Sequence, residues 1–125
     1  MKNVLIIGSG LSGLSCAIRL AQEGIHTILA SPYPSERAQS VMAAGGINAA
    51  LGSDDSPQRH MDDTMHGGCD IADPMAVQAL CHAAPDIVAW LESLGTAFNR
   101  DKDQKTSLRA FGGQLMQARP RVSRS

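Results

Sequence analysis

The sequence predicts an α/β fold, and three consecutive features near its start predict it. An aliphatic run at residues 4–7 is followed by a glycine-rich turn at residues 8–13, and the segment after the turn repeats apolar residues at helical spacing. A second aliphatic run occupies residues 27–30. Strand, helix and strand in this order predict a β–α–β unit, whose crossover should be right-handed.

Each element of this unit has its own signal. The first run is continuously apolar and β-branched, as in a central parallel strand that is buried on both faces. The helix is predicted over residues 11–23, with its apolar face formed by Leu14, Ala17, Ile18 and Ala21. Gly24 supplies the stop signal. The second run then gives a second buried strand.

The chain beyond residue 31 predicts mainly loops and helices. Residues 32–37 are rich in proline and polar residues and predict a loop. Ser56 before Pro57 predicts a helix start, and the helix should run towards His66 and end at residues 67–68. Pro74 repeats the start signal for two helices that are bent or joined at Pro85.

The last part of the sequence is more polar. Residues 100–105 predict an exposed loop or hairpin tip. Residues 115–125 lack apolar periodicity, so we expect a disordered or frame-shifted tail after a first domain of residues 1–114.

Composition excludes several classes of protein. The 125 residues carry a formal net charge of -1, which gives no large field for nucleic acid or for an acidic membrane surface. Cys16, Cys69 and Cys81 show no paired spacing, so a reducing, cytoplasmic compartment is expected. No apolar run approaches the roughly 20 residues needed to cross a bilayer, so no transmembrane segment is expected.

The glycine-rich turn predicts a dinucleotide site. Gly8 permits the tight turn, Gly10 lets the backbone approach a pyrophosphate, and Gly13 allows the helix to pack on the strand. The phosphates would then lie at the helix N-terminus. Ser31 stands where a ribose-binding carboxylate is usual, which favours a long, enclosed cofactor such as FAD and leaves nicotinamide dinucleotides open.

Residues 37–52 resemble the second FAD-contacting block of the family that contains succinate dehydrogenase and fumarate reductase flavoproteins and L-aspartate oxidase. Collinear similarity continues through residues 60–70, 90–100 and 111–113. The resemblance implies the N-terminal, incomplete portion of a Rossmann-like FAD-binding domain of the glutathione-reductase type. It also implies hydride exchange between FAD and a four-carbon dicarboxylate, which either interconverts succinate and fumarate or oxidises aspartate.

The turn and the resemblance together give the candidate site residues. By resemblance, backbone amides of Gly45 and Gly46 lie near the flavin ring, where they stabilise negative charge. Phe98 is expected near the dicarboxylate pocket. The full set of candidate cofactor-binding residues is Gly8, Gly10, Leu11, Ser12, Gly13, Ser31, Gln39, Ser40, Ala44, Gly45, Gly46 and Asp70.

Two departures from the family pattern qualify this expectation. Gln39 replaces the histidine that carries FAD covalently in membrane-bound members, so non-covalent FAD is expected. Ala44 replaces a glutamine beside the substrate in many members.

The family's catalytic arginines and histidines would follow residue 113, so we expect no catalytic residue in this chain. We therefore expect a truncated reading of a longer protein that is inactive alone. The parent would bind a dicarboxylate, possess an iron–sulfur partner subunit and lie peripherally on the inner membrane.

Three alternatives stay open. The His and Asp residues at 60–70 could be interpreted as a metal cluster, although their spacing matches no known metal motif, and we expect no metal site. The chain could instead be a stand-alone dinucleotide-binding module without catalysis. It could also be a remnant that folds poorly, because its sheet needs strands from later sequence.

Overall fold

The computed structural model describes residues 3–43, 46–110 and 120–122 of the chain. The chain divides into two compact units, Met1–Ala44 and Gly45–Ser125. The first unit contains the glycine-rich turn, and the second contains the helices Pro57–Gly67 and Pro74–Ser93 and a short antiparallel pair of strands.

The first unit is the β–α–β arrangement that the sequence predicts. Strand β1 spans Asn3–Ile7, helix α1 spans Leu11–Gln22 and strand β2 spans His26–Ala30. The two strands pair in parallel, with a register that runs from Asn3 opposite His26 to Ile7 opposite Ala30. Gly24 adopts a φ of +70°, which confirms its predicted role after the helix.

Burial of the two strands differs from the prediction. Leu5 is 61% exposed and Ile7 75% exposed, whereas the alternating residues Val4 and Ile6 are half-buried. The prediction of strands buried on both faces was therefore wrong for this chain. The reason is that α1 packs on one face only, the one that carries Ile6, and among the described residues the parallel sheet has two strands.

The chain after β2 contains short helical pieces that the sequence did not predict. A 3-10 turn covers Ser35–Arg37, within the predicted loop, and a four-residue helix α2 covers Gln39–Met42. Elements this short contain too few residues to show an apolar period, so periodicity could not predict them.

The second unit is built around two helices with the predicted start signals. Helix α3 spans Pro57–Gly67, and the Ser56 side chain accepts a hydrogen bond from the Arg59 amide at 3.2 Å. Helix α4 spans Pro74–Ser93, and Asp73 accepts a hydrogen bond from the Met75 amide at 2.8 Å. Both starts therefore combine a capping side chain with a proline in the first turn, as predicted.

Helix α4 is continuous through Pro85, so the two helices predicted to be bent or joined at this proline form a single helix. Proline removes one intrahelical amide donor but does not have to end a helix that tertiary packing supports. Packing on both sides of Pro85 supplies that support, because Cys81, Ala84 and Val88 lie on one buried face.

Helix α4 carries its core residues on one stripe, and other apolar side chains of the helix are exposed. The core of the second unit contains Ala49, Ala84, Val88, Leu91 and Phe98. Leu80 and Ile87 of this helix are 61% and 41% exposed, and Leu94, the C-cap residue, is 47% exposed. The helix therefore has exposed apolar side chains in addition to those of its buried stripe.

The polar segment at residues 100–105 forms the tip predicted from its composition. Arg100 and Thr106 form an antiparallel bridge, and the Asp101 amide donates to the Lys105 carbonyl at 2.8 Å. Strand β3, Leu108–Ala110, then pairs antiparallel with strand β4, Pro120–Val122. Residues 120–122 are thus a strand within the expected disordered tail, because backbone pairing with β3 holds them; the other residues of that tail lie outside the described residues.

Candidate functional site

The turn after β1 is shaped by Gly8. Its φ of +113° lies in a region that side chains rarely allow, and its amide donates to the carbonyl of Ala30 at 2.8 Å. This hydrogen bond ties the turn to the end of β2. The ends of both strands, where ligands bind in parallel sheets, therefore lie side by side.

Gly13 allows α1 to pack directly against that turn. A Cβ atom at this position would lie 2.0 Å from the Gly8 carbonyl oxygen and 3.4 Å from a methyl group of Ile6. No side chain fits at that distance. The predicted role of the third glycine is confirmed.

The N-terminus of α1 presents backbone amides that its own residues do not satisfy. Gly10 is the N-cap residue and provides no side-chain acceptor. The Leu11 amide donates to Ser40 Oγ at 3.0 Å, and the Leu14 amide donates to the Gly10 carbonyl at 3.0 Å. Among the described residues, the backbone amides of Ser12 and Gly13 have no hydrogen-bond acceptor. They therefore stay available to an anion.

A cleft of about 380 Å³ opens beside this helix terminus within the first unit. Its lining comprises Ser9, Gly10, Ser31, Tyr33, Pro34, Arg37, Ala38, Gln39 and Ser40. Arg37 is the one charged residue of that lining, and in the described part of the chain its guanidinium forms no ion pair. The helix terminus and the guanidinium both favour an anion.

A buried serine links the turn to the end of β2. Ser9 is 5% exposed and its Oγ donates to Ser31 Oγ at 2.8 Å. The Tyr33 carbonyl oxygen lies 3.4 Å from the same Ser9 hydroxyl. Ser31, the predicted ribose contact, is therefore held in the cleft by a residue from the glycine-rich turn.

The structure adds five lining residues that were not among the candidate site residues: Ser9, Tyr33, Pro34, Arg37 and Ala38. A signal for Arg37 existed, since it follows β2 closely, and the loops at the carboxyl ends of parallel strands converge. Ser9 occupies a variable position of the glycine motif, which carries no residue preference of its own. The structure was needed to show that its side chain turns towards Ser31.

Only some of the candidate residues expected near the flavin and the substrate are among the described residues. Ala44 and Gly45 lie outside the described residues. Gly46 has a φ of +103°, and Asp70 has a φ of +56° in the turn after α3. Phe98 is 5% exposed in the core of the second unit. Cofactor contact by Gly46 and Asp70 and the pocket role of Phe98 stay predictions.

The described residues contain neither a metal-binding cluster nor a helix that could span a membrane. No group of three His, Cys, Asp or Glu side chains is arranged to hold a metal ion within ranges 3–43, 46–110 and 120–122. Over the same residues, every helix is too short or too polar to traverse a lipid bilayer.

The glycine turn, the helix terminus and the cleft at the paired strand ends define a dinucleotide-binding type of protein. The family model described as FAD binding domain matches residues 3–124. The chain therefore belongs to the FAD-binding-domain family, and FAD is the cofactor that this membership indicates. The fold is that of the FAD-binding portion of succinate dehydrogenase and fumarate reductase flavoproteins.

Relatives of known function support the membership. The chain is 41% identical over 115 residues to the succinate dehydrogenase flavoprotein subunit of Bacillus subtilis, covering 90% of this chain and 20% of that protein. It is 33% identical over 111 residues to the L-aspartate oxidase of Streptomyces coelicolor, covering 89% of this chain and 19% of the oxidase. The predicted resemblance is confirmed.

Solved structures give the same result for the fold. Sdh1 of Mycobacterium smegmatis in complex with UQ1 superposes with a TM-score of 0.89 at 34% identity, over 99% of this chain and 21% of that one. A quinol fumarate reductase of E. coli superposes with a TM-score of 0.87 at 30% identity, over 98% and 21% of the two chains. The chain thus spans about a fifth of the length of these proteins.

Proposed function

We propose that this chain binds the adenosine diphosphate half of FAD in the cleft of its first unit. The observation that carries the proposal is that the N-terminus of α1, with its Ser12 and Gly13 amides, adjoins a cleft whose lining contains Arg37 and no carboxylate. Two phosphates need donors and positive potential, and both are supplied here by groups that no described residue neutralises.

The size of the cleft agrees with half of the cofactor. Pockets that enclose a whole drug-sized ligand measure roughly 300–1,000 Å³. A volume of about 380 Å³ lies at the small end of that range. It suits an adenosine diphosphate group better than a complete FAD molecule, whose flavin end would need further surface.

The proposed activity of the whole protein is that of a flavin-dependent oxidoreductase acting on a four-carbon dicarboxylate. FAD supplies the hydride acceptor or donor for such a reaction. The support is the naming of several similar proteins as succinate dehydrogenase or fumarate reductase flavoprotein subunits. Aspartate oxidation is the second candidate, supported by the similar L-aspartate oxidase.

We further propose that the 125-residue chain does not turn over substrate by itself. It spans about a fifth of its relatives, and the sheet face that carries Leu5 and Ile7 is exposed. Such a face is normally covered in a parallel sheet. For the longer protein, we also propose an iron–sulfur partner subunit and a peripheral position at the inner membrane. The support is that a similar protein is named a flavoprotein subunit.

A calorimetric titration of the purified chain with FAD, ADP, FMN and NAD tests the cofactor proposal. FAD and ADP should bind, and FMN should bind much more weakly because it lacks the adenosine half. Clear preference for NAD over FAD would instead favour a stand-alone nicotinamide-binding module. Dye reduction that depends on added succinate would contradict the proposed inactivity of this chain.

A further inference from the structure

The buried hydroxyl of Ser9 has no explanation in the roles of the glycine motif. It belongs to the turn after β1, yet its hydrogen-bond partner Ser31 lies 22 residues further along the chain. Ser9 is 5% exposed, whereas Ser31 is exposed and lines the cleft. A buried polar atom thus supports an exposed one at the place where a ligand would bind.

The hydrogen bond to Ser9 leaves the Ser31 hydroxyl with a defined remaining capacity to donate and accept. A serine hydroxyl has one hydrogen to donate and two lone pairs to accept. In the bond at 2.8 Å Ser9 Oγ is the donor and Ser31 Oγ the acceptor, and the Tyr33 carbonyl at 3.4 Å is the more distant acceptor of the same hydrogen, so Ser31 keeps its own hydrogen for another partner. The bond also restricts the rotation of the Ser31 side chain, which reduces the entropy lost when a ligand binds.

We propose that Ser9 is a positioning residue that holds the Ser31 hydroxyl against a ribose hydroxyl of the bound adenine dinucleotide. This inference rests on the proposed function, because it assigns the ribose subsite of the same cleft. A carboxylate at the end of β2 would accept hydrogen bonds from the ribose without help. The single hydroxyl of Ser31 needs orientation, and Ser9 supplies it.

The test compares ADP with its 2′-deoxy and 3′-deoxy forms in calorimetric titrations of the full chain. One neutral hydrogen bond to the ribose predicts roughly fivefold weaker binding of the form that lacks the contacted hydroxyl. Ser31→Ala should abolish this discrimination. Ser9→Ala should reduce it to less than about twofold, because the Ser31 hydroxyl is then no longer oriented.

A double-mutant cycle separates positioning from a general structural effect. If Ser9 acts through Ser31, Ser9→Ala in a Ser31→Ala background leaves ADP affinity unchanged. Ser93→Ala is the matched control, because Ser93 is an exposed serine of α4 whose hydroxyl donates to the Trp90 carbonyl in the second unit. This control should retain the full discrimination.

The outcomes distinguish the inference from the function on which it rests. ADP binding with an unchanged deoxy ratio in Ser9→Ala overturns the inference and leaves the proposed function intact. Equal loss of ADP and deoxy-ADP affinity at a preserved ratio also overturns it, because it indicates a structural role. Failure of the unmodified chain to bind ADP overturns both.

Discussion

The carbonyl oxygen of Gly8 lies 2.0 Å from the place where a Cβ atom of residue 13 would be. This relationship fixes how closely α1 approaches the turn after β1. The contact is between backbone atoms, so no rotamer change can relieve a larger side chain. The helix would have to move as a whole, and the cleft beside its N-terminus would move with it.

Gly13→Ala is therefore expected to lower the free energy of unfolding by about 1–3 kcal/mol and to abolish FAD binding. Gly67→Ala is the control, because a Cβ atom there would meet nothing within 4 Å. Chemical denaturation and flavin titration of both variants measure the effects. A Gly13→Ala variant that binds FAD normally would contradict the assigned packing role.

Arg37→Gln is expected to weaken ADP binding roughly fivefold and to reduce its dependence on salt. The reason is that Arg37 supplies the positive charge in the lining of the cleft. Lys102→Gln removes the same charge from the exposed hairpin tip and should leave the affinity unchanged. Titrations at two ionic strengths provide the measurement, and equal effects of both variants would argue against a local role for Arg37.

Leu91→Ala is expected to destabilise the second unit by about 2–4 kcal/mol, because it removes buried methyl groups from the core around Phe98. Leu80→Ala makes the same substitution on the same helix at a position that is 61% exposed, and should change stability by less than about 1 kcal/mol. Urea unfolding of the two variants gives the comparison. Similar values for both would mean that the two stripes of α4 are assigned wrongly.

Asp73→Ala is expected to lower stability by about 1 kcal/mol through loss of the cap on α4. The Asp73 side chain accepts from the Met75 amide at 2.8 Å. Asp73→Asn keeps an oxygen acceptor there and should retain most of that stability. Thermal unfolding followed by circular dichroism distinguishes them, and indistinguishable midpoints for all three proteins would rule out a capping contribution.

FAD bound to this chain is expected to be released by acid precipitation, since Gln39 offers no imidazole nitrogen for a covalent bond. The flavin absorbance should appear in the supernatant, and the protein pellet should be colourless. A pellet that keeps the flavin spectrum after washing would show covalent attachment and would require another residue to form it.

Much of the first unit could be predicted from its sequence. The aliphatic runs and the glycine spacing are local signals, and local backbone preferences decided β1, α1 and β2. What the sequence did not predict is which strand face stays uncovered. Leu5 and Ile7 belong to a run typical of full burial, but burial depends on what packs against a face and not on the run itself.

The same limit applies to the course of α4 at Pro85 and to the cleft. Pro85 is a strong local stop signal, which the continuous buried stripe from Val77 to Leu91 overrides. In the cleft, the glycines could be predicted because a close backbone approach requires them. Ser9 could not, since its role depends on a side-chain contact between the loops that follow β1 and β2, whereas Arg37 was missed although its position after β2 is a signal.

The most direct test of the proposed cleft is backbone amide NMR of the full chain during addition of ADP. The account predicts that the largest shift changes occur at Ser9, Gly10, Ser12, Gly13 and Ser31, and that Gly13→Ala removes them. Shift changes confined to residues 46–110, or none at saturating ADP, would show that the N-terminus of α1 does not hold the diphosphate.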